Sequence, residues 1–217
     1  MSNIRMSHRN DTVLSFHDSI LYESDVELLD GPYWLNDSII GFYMEYLEKE
    51  IYTDLGIAFL RPEITQCLKL SPLSELPLFL DPLNFKDKSL ALMPLNDCDN
   101  PSSVGGGSHW SLLTYSKNDD RFYHLDSSQG SNSIQARVLA AKVSSYLGGP
   151  AEPSYRAPSS LQQSNSYDCG VFVLCNMDNV IKHFLRQGTL ENLEHIRIQD
   201  VSRKRQEVKS LIQQLNA

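Results

Sequence analysis

The chain has few cysteines, and none of them forms a paired motif. Its four cysteines contain no Cys-x-x-Cys pair and no cysteine–histidine cluster with the spacing of a zinc site. This argues against a structural metal, and we expect neither a metal ion nor a cofactor. Free thiols are typical of reducing compartments, which predicts a cytoplasmic or nuclear location. The four are Cys67, Cys98, Cys169 and Cys175.

Long apolar runs are also missing. No segment approaches the roughly 20 residues that span a membrane, and residues 1–16 are polar, without the apolar core of a signal peptide. Positive charge is scarce, since 19 Lys and Arg stand against 27 Asp and Glu and give a formal net charge of -8. This balance argues against nucleic acid and anionic membranes as partners and suits a partner with a basic face.

The rest of the composition is that of an ordinary globular protein, and we expect one domain over residues 1–217, with residues 1–12 flexible. Strands are predicted at 89–95, 109–115 and 121–126, the last two as a hairpin. Helices flanking this small, largely antiparallel sheet predict the α+β class. Capping and periodicity predict helices that begin near Ser24, Asn36, Pro62, Ile134, Cys169 and Thr189.

Two helix faces can be predicted in more detail. The inward face of helix 134–147 is predicted from its spaced apolar residues, which are Ile134, Val138, Ala141 and Leu147. The basic triplet 203–205 predicts a solvated face on the last helix.

The polar stretch 163–170 runs directly into the apolar stretch 171–174. Cys169 at this junction is predicted to lie in the first turn of a helix, where unpaired N–H groups and the helix dipole stabilise a thiolate. Gly170 would leave the backbone beside the sulfur open to a substrate. The alternative is a buried structural cysteine, which is the commoner role for a lone cysteine.

A cysteine nucleophile needs a base, and the base needs an orienting group. His109 begins one strand of the predicted hairpin and Asp126 ends the other, so the two side chains can reach hydrogen-bonding distance. His124 is the alternative base. It shares a strand face with Asp126 at a separation of roughly 7 Å, which is a poor geometry for a direct bond.

The oxyanion of an acyl intermediate needs a donor as well. Gln163 lies six residues before Cys169 and can supply an amide N–H beside the backbone N–H of the cysteine, with Gln162 as its near competitor. Asp168 can instead act as a helix cap. Cys175 lies on another face of the helix and is predicted to be part of the core.

These residues resemble the Ulp/SENP cysteine proteases of ubiquitin-like modifiers. The resemblance implies a papain-like fold with His109 as base, Asp126 as its orienting group, Cys169 as nucleophile and Gln163 in the oxyanion hole. It extends from position 21 to about 215. It is carried by His109-Trp110-Ser111-Leu112, His124-Leu125-Asp126-Ser127, Gln163-Ser164-Asn165-Ser166-Tyr167-Asp168-Cys169-Gly170 and Trp34-Leu35-Asn36-Asp37.

The resemblance also implies how a substrate binds. Trp34 and Trp110 would wall a narrow tunnel that admits only Gly-Gly, since two indoles can sandwich a peptide without side chains while any Cβ would clash. Asp37 would pair with an arginine of the modifier. Asn96 would hold the peptide backbone.

Two positions favour the deneddylating branch of the family over the SUMO-directed branch. Asn96 stands where SUMO proteases usually have His, and Ser166-Tyr167 stands where they typically read Gly-Ser. We therefore expect a monomer whose partner is the neddylation modifier, either in its precursor or conjugated to proteins such as cullins. The expected reaction is hydrolysis of the bond after the terminal Gly-Gly.

Three other functions remain open at this point. One is a SUMO-directed protease of the same family, the second is an acyltransferase with the same His, acid and Cys arrangement, and the third is a non-catalytic module that binds a modifier. The loop 96–107, with three consecutive glycines, is predicted to be mobile and to help seat His109 when substrate binds.

Overall fold

The computed structural model describes residues 11–100 and 106–216. Residues 1–10 of the segment predicted to be flexible, and residues 101–105 of the predicted mobile loop, lie outside this description. No helix within it is both long and apolar enough to cross a membrane. The elements are β1 (Thr12–Phe16), β2 (Ser19–Tyr22), α1 (Glu23–Glu27), α2 (Asp37–Tyr46), β3 (Ile57–Phe59), α3 (Pro62–Leu70), α4 (Leu76–Leu80), β4 (Leu90–Asn96), β5 (Trp110–Ser116), β6 (Arg121–Leu125), α5 (Ser133–Leu147), β7 (Tyr155–Arg156), α6 (Cys169–Gln187) and α7 (Ile198–Leu215).

Five strands form the main sheet in the order β3-β4-β5-β6-β7. The β4–β5 and β5–β6 pairs are antiparallel, as predicted, whereas the edge strands β3 and β7 add parallel pairs. A separate antiparallel hairpin joins β1 to β2. The sequence did not predict β1, β2 or β3, each of which is only three to five residues long. The α+β class is confirmed.

Both faces of the sheet are covered, and β4 shows why. Leu90 and Leu92 point into one apolar core, which they share with α2, α6 and α7, while Ala91 and Met93 point into a second core against α3, α4 and α5. A strand buried on both faces carries apolar residues at successive positions rather than at alternate ones. The central helix α6 packs on β4 and β5, so its first residue lies at one end of the sheet.

Helix α5 buries a different face from the predicted one. Ile134 is 76% exposed and Val138 is 45% exposed, so the predicted inward face was wrong for both. The buried positions are Ala136, Leu139, Ala140, Val143 and Ser144. Small alanine side chains let α5 lie close to its neighbours, while Ile134 and Val138 are left outside.

The basic triplet is not a solvated face, apart from its first residue. Lys204 lies on the buried stripe of α7 that also carries Val201 and Val208, and its ammonium group pairs with Asp178 of α6 at 2.8 Å. Arg205 is also largely enclosed, with 16% of its side chain exposed. The prediction was wrong because these cations have partners on distant segments, which a run of basic letters cannot show.

Candidate active site

Helix α6 begins at Cys169, directly after the polar loop. The apolar residues that follow it are buried in the core and fix the helix end against the sheet. Cys169 is 1% exposed, yet it lines a cleft of about 450 Å³ that is open to solvent. The sulfur is therefore shielded but within reach of a narrow substrate.

Gly170 has a different role from the expected one. A Cβ at this position would lie 2.9 Å from Cβ of Leu35, in the segment that precedes α2. Real Cβ atoms essentially never approach another atom below 3.0 Å. The missing side chain therefore allows close packing of α6 against this segment rather than access of a substrate to the sulfur.

The β5–β6 hairpin brings a histidine and a carboxylate together. Leu112 pairs with Leu125, so the residues just beyond these strands meet at one end of the hairpin. Nε2 of His109 lies 2.6 Å from Oδ1 of Asp126, and both side chains are buried. This is the placement that the predicted hairpin required.

The Asp126 carboxylate is held as an anion. Burial opposes its charge, but hydrogen bonds from His109, from the Ser128 N–H at 2.9 Å and from the Asn132 N–H at 3.2 Å outweigh burial and lower its pKa. An anionic Asp126 fixes the orientation of the imidazole ring and stabilises its protonated form.

The surroundings of His109 favour the protonated, imidazolium form of its ring. Burial disfavours this charge, but hydrogen bonds and charge interactions with Asp126 and Cys169 outweigh burial and raise its pKa to about 9. Because Nε2 bonds to Asp126, Nδ1 is the ring nitrogen that is left to interact with the Cys169 sulfur. At neutral pH the geometry thus provides a protonated imidazole beside the cysteine, as a thiolate–imidazolium pair requires.

His124, the alternative base, lies elsewhere. Its Nε2 is 2.9 Å from Oγ of Ser111, and the ring is buried and does not line the cleft with Cys169. Burial is the largest influence on this ring and lowers its pKa to about 4, against a smaller opposing effect of Asp126. A neutral, enclosed ring cannot serve Cys169 as an acid.

Gln163 is not among the residues that line the cleft with Cys169. It lines a groove with His109 and Trp34, and Oε1 of its amide accepts a hydrogen bond from Ser127 Oγ at 2.7 Å. One N–H of its amide donates to the carbonyl of Asn165 at 2.6 Å. A primary amide carries two N–H donors, and the bonds described here use one of them.

The two tryptophans line the cleft that contains Cys169. Nε1 of Trp34 donates to the Ser166 carbonyl at 2.6 Å, which ties this indole to the loop that precedes the nucleophile. Nε1 of Trp110 donates to the Leu35 carbonyl at 3.0 Å. The Trp110 indole is thus anchored to the segment that carries Trp34, and the Trp34 indole to the loop before Cys169.

Asp37 and Asn96 line the same cleft. Asp37 is the exposed first residue of α2, and Oδ1 of Asn96 accepts the Cys98 N–H at 2.8 Å. Gly107 approaches Asn96 closely with φ +96, and a Cβ there would lie 1.9 Å from the Asn96 amide oxygen. Only glycine fits this position.

Three supporting residues were missed from the sequence. The Asp97 carboxylate accepts the Ser108 N–H and O–H and the His109 N–H, and these bonds outweigh burial and lower its pKa. Asn132 is fully buried and donates from its amide to the Leu95 carbonyl and to Ser111 Oγ. Arg205 contacts the loop before Cys169. An Asp beside a glycine-rich loop was a usable signal for Asp97, but nothing local marks the other two.

Comparisons with known proteins agree with this geometry. Residues 33–216 match the family described as "Ulp1 protease family, C-terminal catalytic domain". Human "Sentrin-specific protease 8" is 40% identical over 204 residues, covering 92% of this chain and 95% of that protein. Arabidopsis thaliana "NEDD8-specific protease 1" is 36% identical over 189 residues, covering 86% and 82%.

Solved structures agree on the fold. The C-terminal Ulp1 protease domain in complex with Smt3, the yeast ortholog of SUMO, superimposes with a TM-score of 0.75 over 97% of this chain and 90% of that one. At 20% identity this likeness concerns the fold alone. The predicted papain-like arrangement, with the cysteine on the central helix, is confirmed.

Proposed function

Because this chain belongs to the Ulp1 protease family, it is a cysteine protease, and we propose that it cleaves after the terminal Gly-Gly of the neddylation modifier. The observation that carries the proposal is the bond of 2.6 Å between His109 and Asp126, with the same ring beside Cys169 in a cleft lined by two tryptophans. The choice of modifier is supported by the relative that is named a NEDD8-specific protease. It is also supported by Asn96, which stands where SUMO proteases usually have His.

The proposed reaction uses the side chains in the order in which they meet the substrate. The Cys169 sulfur attacks the carbonyl of the last glycine, and the Cys169 N–H and the second amide N–H of Gln163 stabilise the oxyanion. Nδ1 of His109 gives its proton to the leaving amine as the C–N bond breaks. Water, which then loses a proton to His109, hydrolyses the thioester and restores the enzyme. Asp126 holds the ring throughout.

The cleft supplies the selectivity for Gly-Gly. Trp34 and Trp110 leave room for a peptide without side chains, since a Cβ would meet an indole. Asp37 is exposed and lines the cleft, so a basic residue of the modifier can pair with it. Asn96, which lines the same cleft, would hold the peptide backbone.

We also propose that the enzyme processes both the modifier precursor and its conjugates, such as cullins, in the cytoplasm and nucleus. The same attack on a glycine carbonyl cleaves a peptide bond or an isopeptide bond to lysine. The four free cysteines support a reducing location.

The test compares two fluorogenic substrates, in which the neddylation modifier or SUMO carries an aminocoumarin after its last glycine. We expect kcat/KM for the neddylation modifier to be higher by about 10²-fold or more. Cys169→Ala is the control and should bind the modifier without cleaving it, because the binding surface is unchanged. Preference for SUMO would identify a SUMO-directed protease instead. Cleavage of neither substrate, with transfer of acetyl from acetyl-CoA, would identify an acyltransferase.

A further inference from the structure

The guanidinium of Arg205 in α7 reaches both loops that enclose the nucleophile. Nη2 donates to the Tyr33 carbonyl at 2.8 Å and to the Asp168 carboxylate at 2.8 Å, and Nε donates to the same carboxylate at 3.2 Å. Nη1 donates to the Leu28 carbonyl at 2.7 Å. Its contacts therefore join α7 to two segments that are far apart in the sequence.

Each of these segments carries a residue of the cleft. Tyr33 directly precedes Trp34, and Asp168 directly precedes Cys169. The Trp34 indole in turn donates to the Ser166 carbonyl in the loop before the cysteine. The spacing between the Trp34 wall and the sulfur thus depends on the backbone positions that Arg205 holds.

Arg205 also balances the charge of the residue before the nucleophile. Asp168 directly precedes Cys169 in the chain, and a negative charge close to a thiol opposes the thiolate. The side chains of this pair are only 16% and 20% exposed, so water screens the carboxylate weakly. The second carboxylate oxygen accepts a hydrogen bond from the Asn165 amide at 2.8 Å, which is not a charged donor.

We propose that Arg205 is a positioning residue with two separable effects: it sets the distance between the Trp34 wall and Cys169, and it neutralises Asp168 so that the thiolate forms. The first effect rests on the proposed function, because it concerns substrate in the cleft. The second concerns the thiol alone. The planar guanidinium is essential to the first effect, since its donors point to Leu28, Tyr33 and Asp168 at once.

The experiment measures two quantities on matched variants. Alkylation of Cys169 by iodoacetamide, read by mass spectrometry of the peptide that contains it, reports the thiolate without any modifier. The kcat and KM for the neddylation-modifier substrate report the cleft. Arg203→Ala is the control, since Arg203 lies on the same helix, is 63% exposed and pairs only with Asp200 and the Gln199 carbonyl among the contacts described.

Arg205→Ala should lower kcat/KM by about 10²-fold, with a raised KM, because a displacement of about 1 Å in a catalytic site has an effect of this order. It should also slow alkylation of Cys169 by about tenfold. Arg205→Lys should keep most of the wild-type alkylation rate, because it retains the positive charge. Its KM should stay raised, because the lysine ammonium cannot replace the planar set of guanidinium donors. Arg203→Ala should change neither quantity by more than about twofold.

The double variant Arg205→Ala with Asp168→Asn separates the two effects. It removes the unbalanced charge without replacing the contacts to Tyr33 and Leu28, so alkylation should recover while KM stays raised. If Arg205→Ala does not fold, the same test compares Arg205→Lys and Asp168→Asn with wild type. A wild-type KM in Arg205→Lys would then overturn the proposal that Arg205 sets the distance between the Trp34 wall and Cys169.

The outcomes also separate this proposal from the proposed function. Wild-type kinetics and alkylation in folded Arg205→Ala would overturn the role of Arg205. If the wild-type enzyme cleaves no modifier but Arg205→Ala still slows alkylation, the proposed function is wrong and the effect of Arg205 on the thiolate stands.

Discussion

The two halves of the catalytic centre are held by different kinds of contact. His109 and Asp126 are 17 residues apart and meet at the end of one hairpin. The half that contains Cys169 depends on contacts such as Trp34 to Ser166, 132 residues apart, and Arg205 to Tyr33, 172 residues apart. The base is therefore fixed by local strand register, whereas the nucleophile and its wall are fixed by packing between distant segments.

The largest expected effect tests the hairpin half. Asp126→Asn should lower kcat by about 10⁴-fold, because the imidazole loses the anion that orients it and stabilises its charge. The measurement is steady-state cleavage of the modifier substrate. Asp120→Asn, in the turn at the other end of the same hairpin, is the control, since Asn tolerates the positive φ of this position and keeps a partner for Tyr115. A kcat for Asp126→Asn within tenfold of wild type would contradict the role of Asp126.

The next effect tests the half held by distant contacts. Trp34→Ala should lower kcat/KM by about 10²-fold, chiefly through KM, because one wall of the cleft and its bond to Ser166 are lost. Alkylation of Cys169 should change little. Trp34→Phe keeps a ring without the N–H donor and should fall between wild type and Trp34→Ala. An unchanged KM in Trp34→Ala would show that this indole does not enclose the substrate.

A smaller effect appears in the pH profile. The pKa of His109 is raised to about 9, so the imidazolium persists through neutral pH and loses its proton as pH rises through this value. The wild-type kcat/KM should therefore fall above about pH 9, and Asp126→Asn should move this alkaline limb toward the ordinary histidine pKa of about 6.5. If the alkaline limb stays at the same pH in Asp126→Asn, then it does not report the loss of the His109 proton.

The smallest effect concerns the close packing beside the nucleophile. Gly170→Ala should lower the free energy of unfolding by about 1–3 kcal/mol, because the new Cβ would overlap Leu35. Gly41→Ala is the matched control, since its Cβ would lie 3.7 Å from Pro62 and alanine favours the helix. Urea denaturation measures both variants. A Gly170→Ala variant as stable as Gly41→Ala would mean that the contact with Leu35 relaxes at no cost.

The sequence was sufficient where a contact follows from one local element. The hairpin predicted the meeting of His109 and Asp126, and the change from polar to apolar residues predicted that α6 begins at Cys169. The Asn36 side chain caps α2 through the Ile39 N–H at 3.1 Å, as its position suggested. In each case periodicity, register or capping determines the geometry without knowledge of the rest of the chain.

The sequence was not sufficient where a residue acts through a distant partner. Arg205 was predicted to belong to a solvated basic run. Its hydrogen-bond acceptors are Leu28, Tyr33 and Asp168, which the sequence around Arg205 does not reveal. Gly170 was predicted to leave room for a substrate. Its spatial neighbour Leu35 is remote in the chain, so the close packing could not be predicted. In α5 the exposed Ile134 shows that apolar spacing alone does not decide which face of a helix is buried.

The central claim is that Cys169, and no other thiol of the cleft, attacks the glycine carbonyl of a modifier. The cleft offers a direct test, because Cys67 and Cys98 line it as well. The neddylation modifier with a C-terminal vinyl sulfone should form one adduct, and peptide mapping should place it on Cys169 in wild type and find none in His109→Ala. An adduct on Cys67 or Cys98, or labelling of Cys169 that persists at the wild-type rate in His109→Ala, would contradict the account.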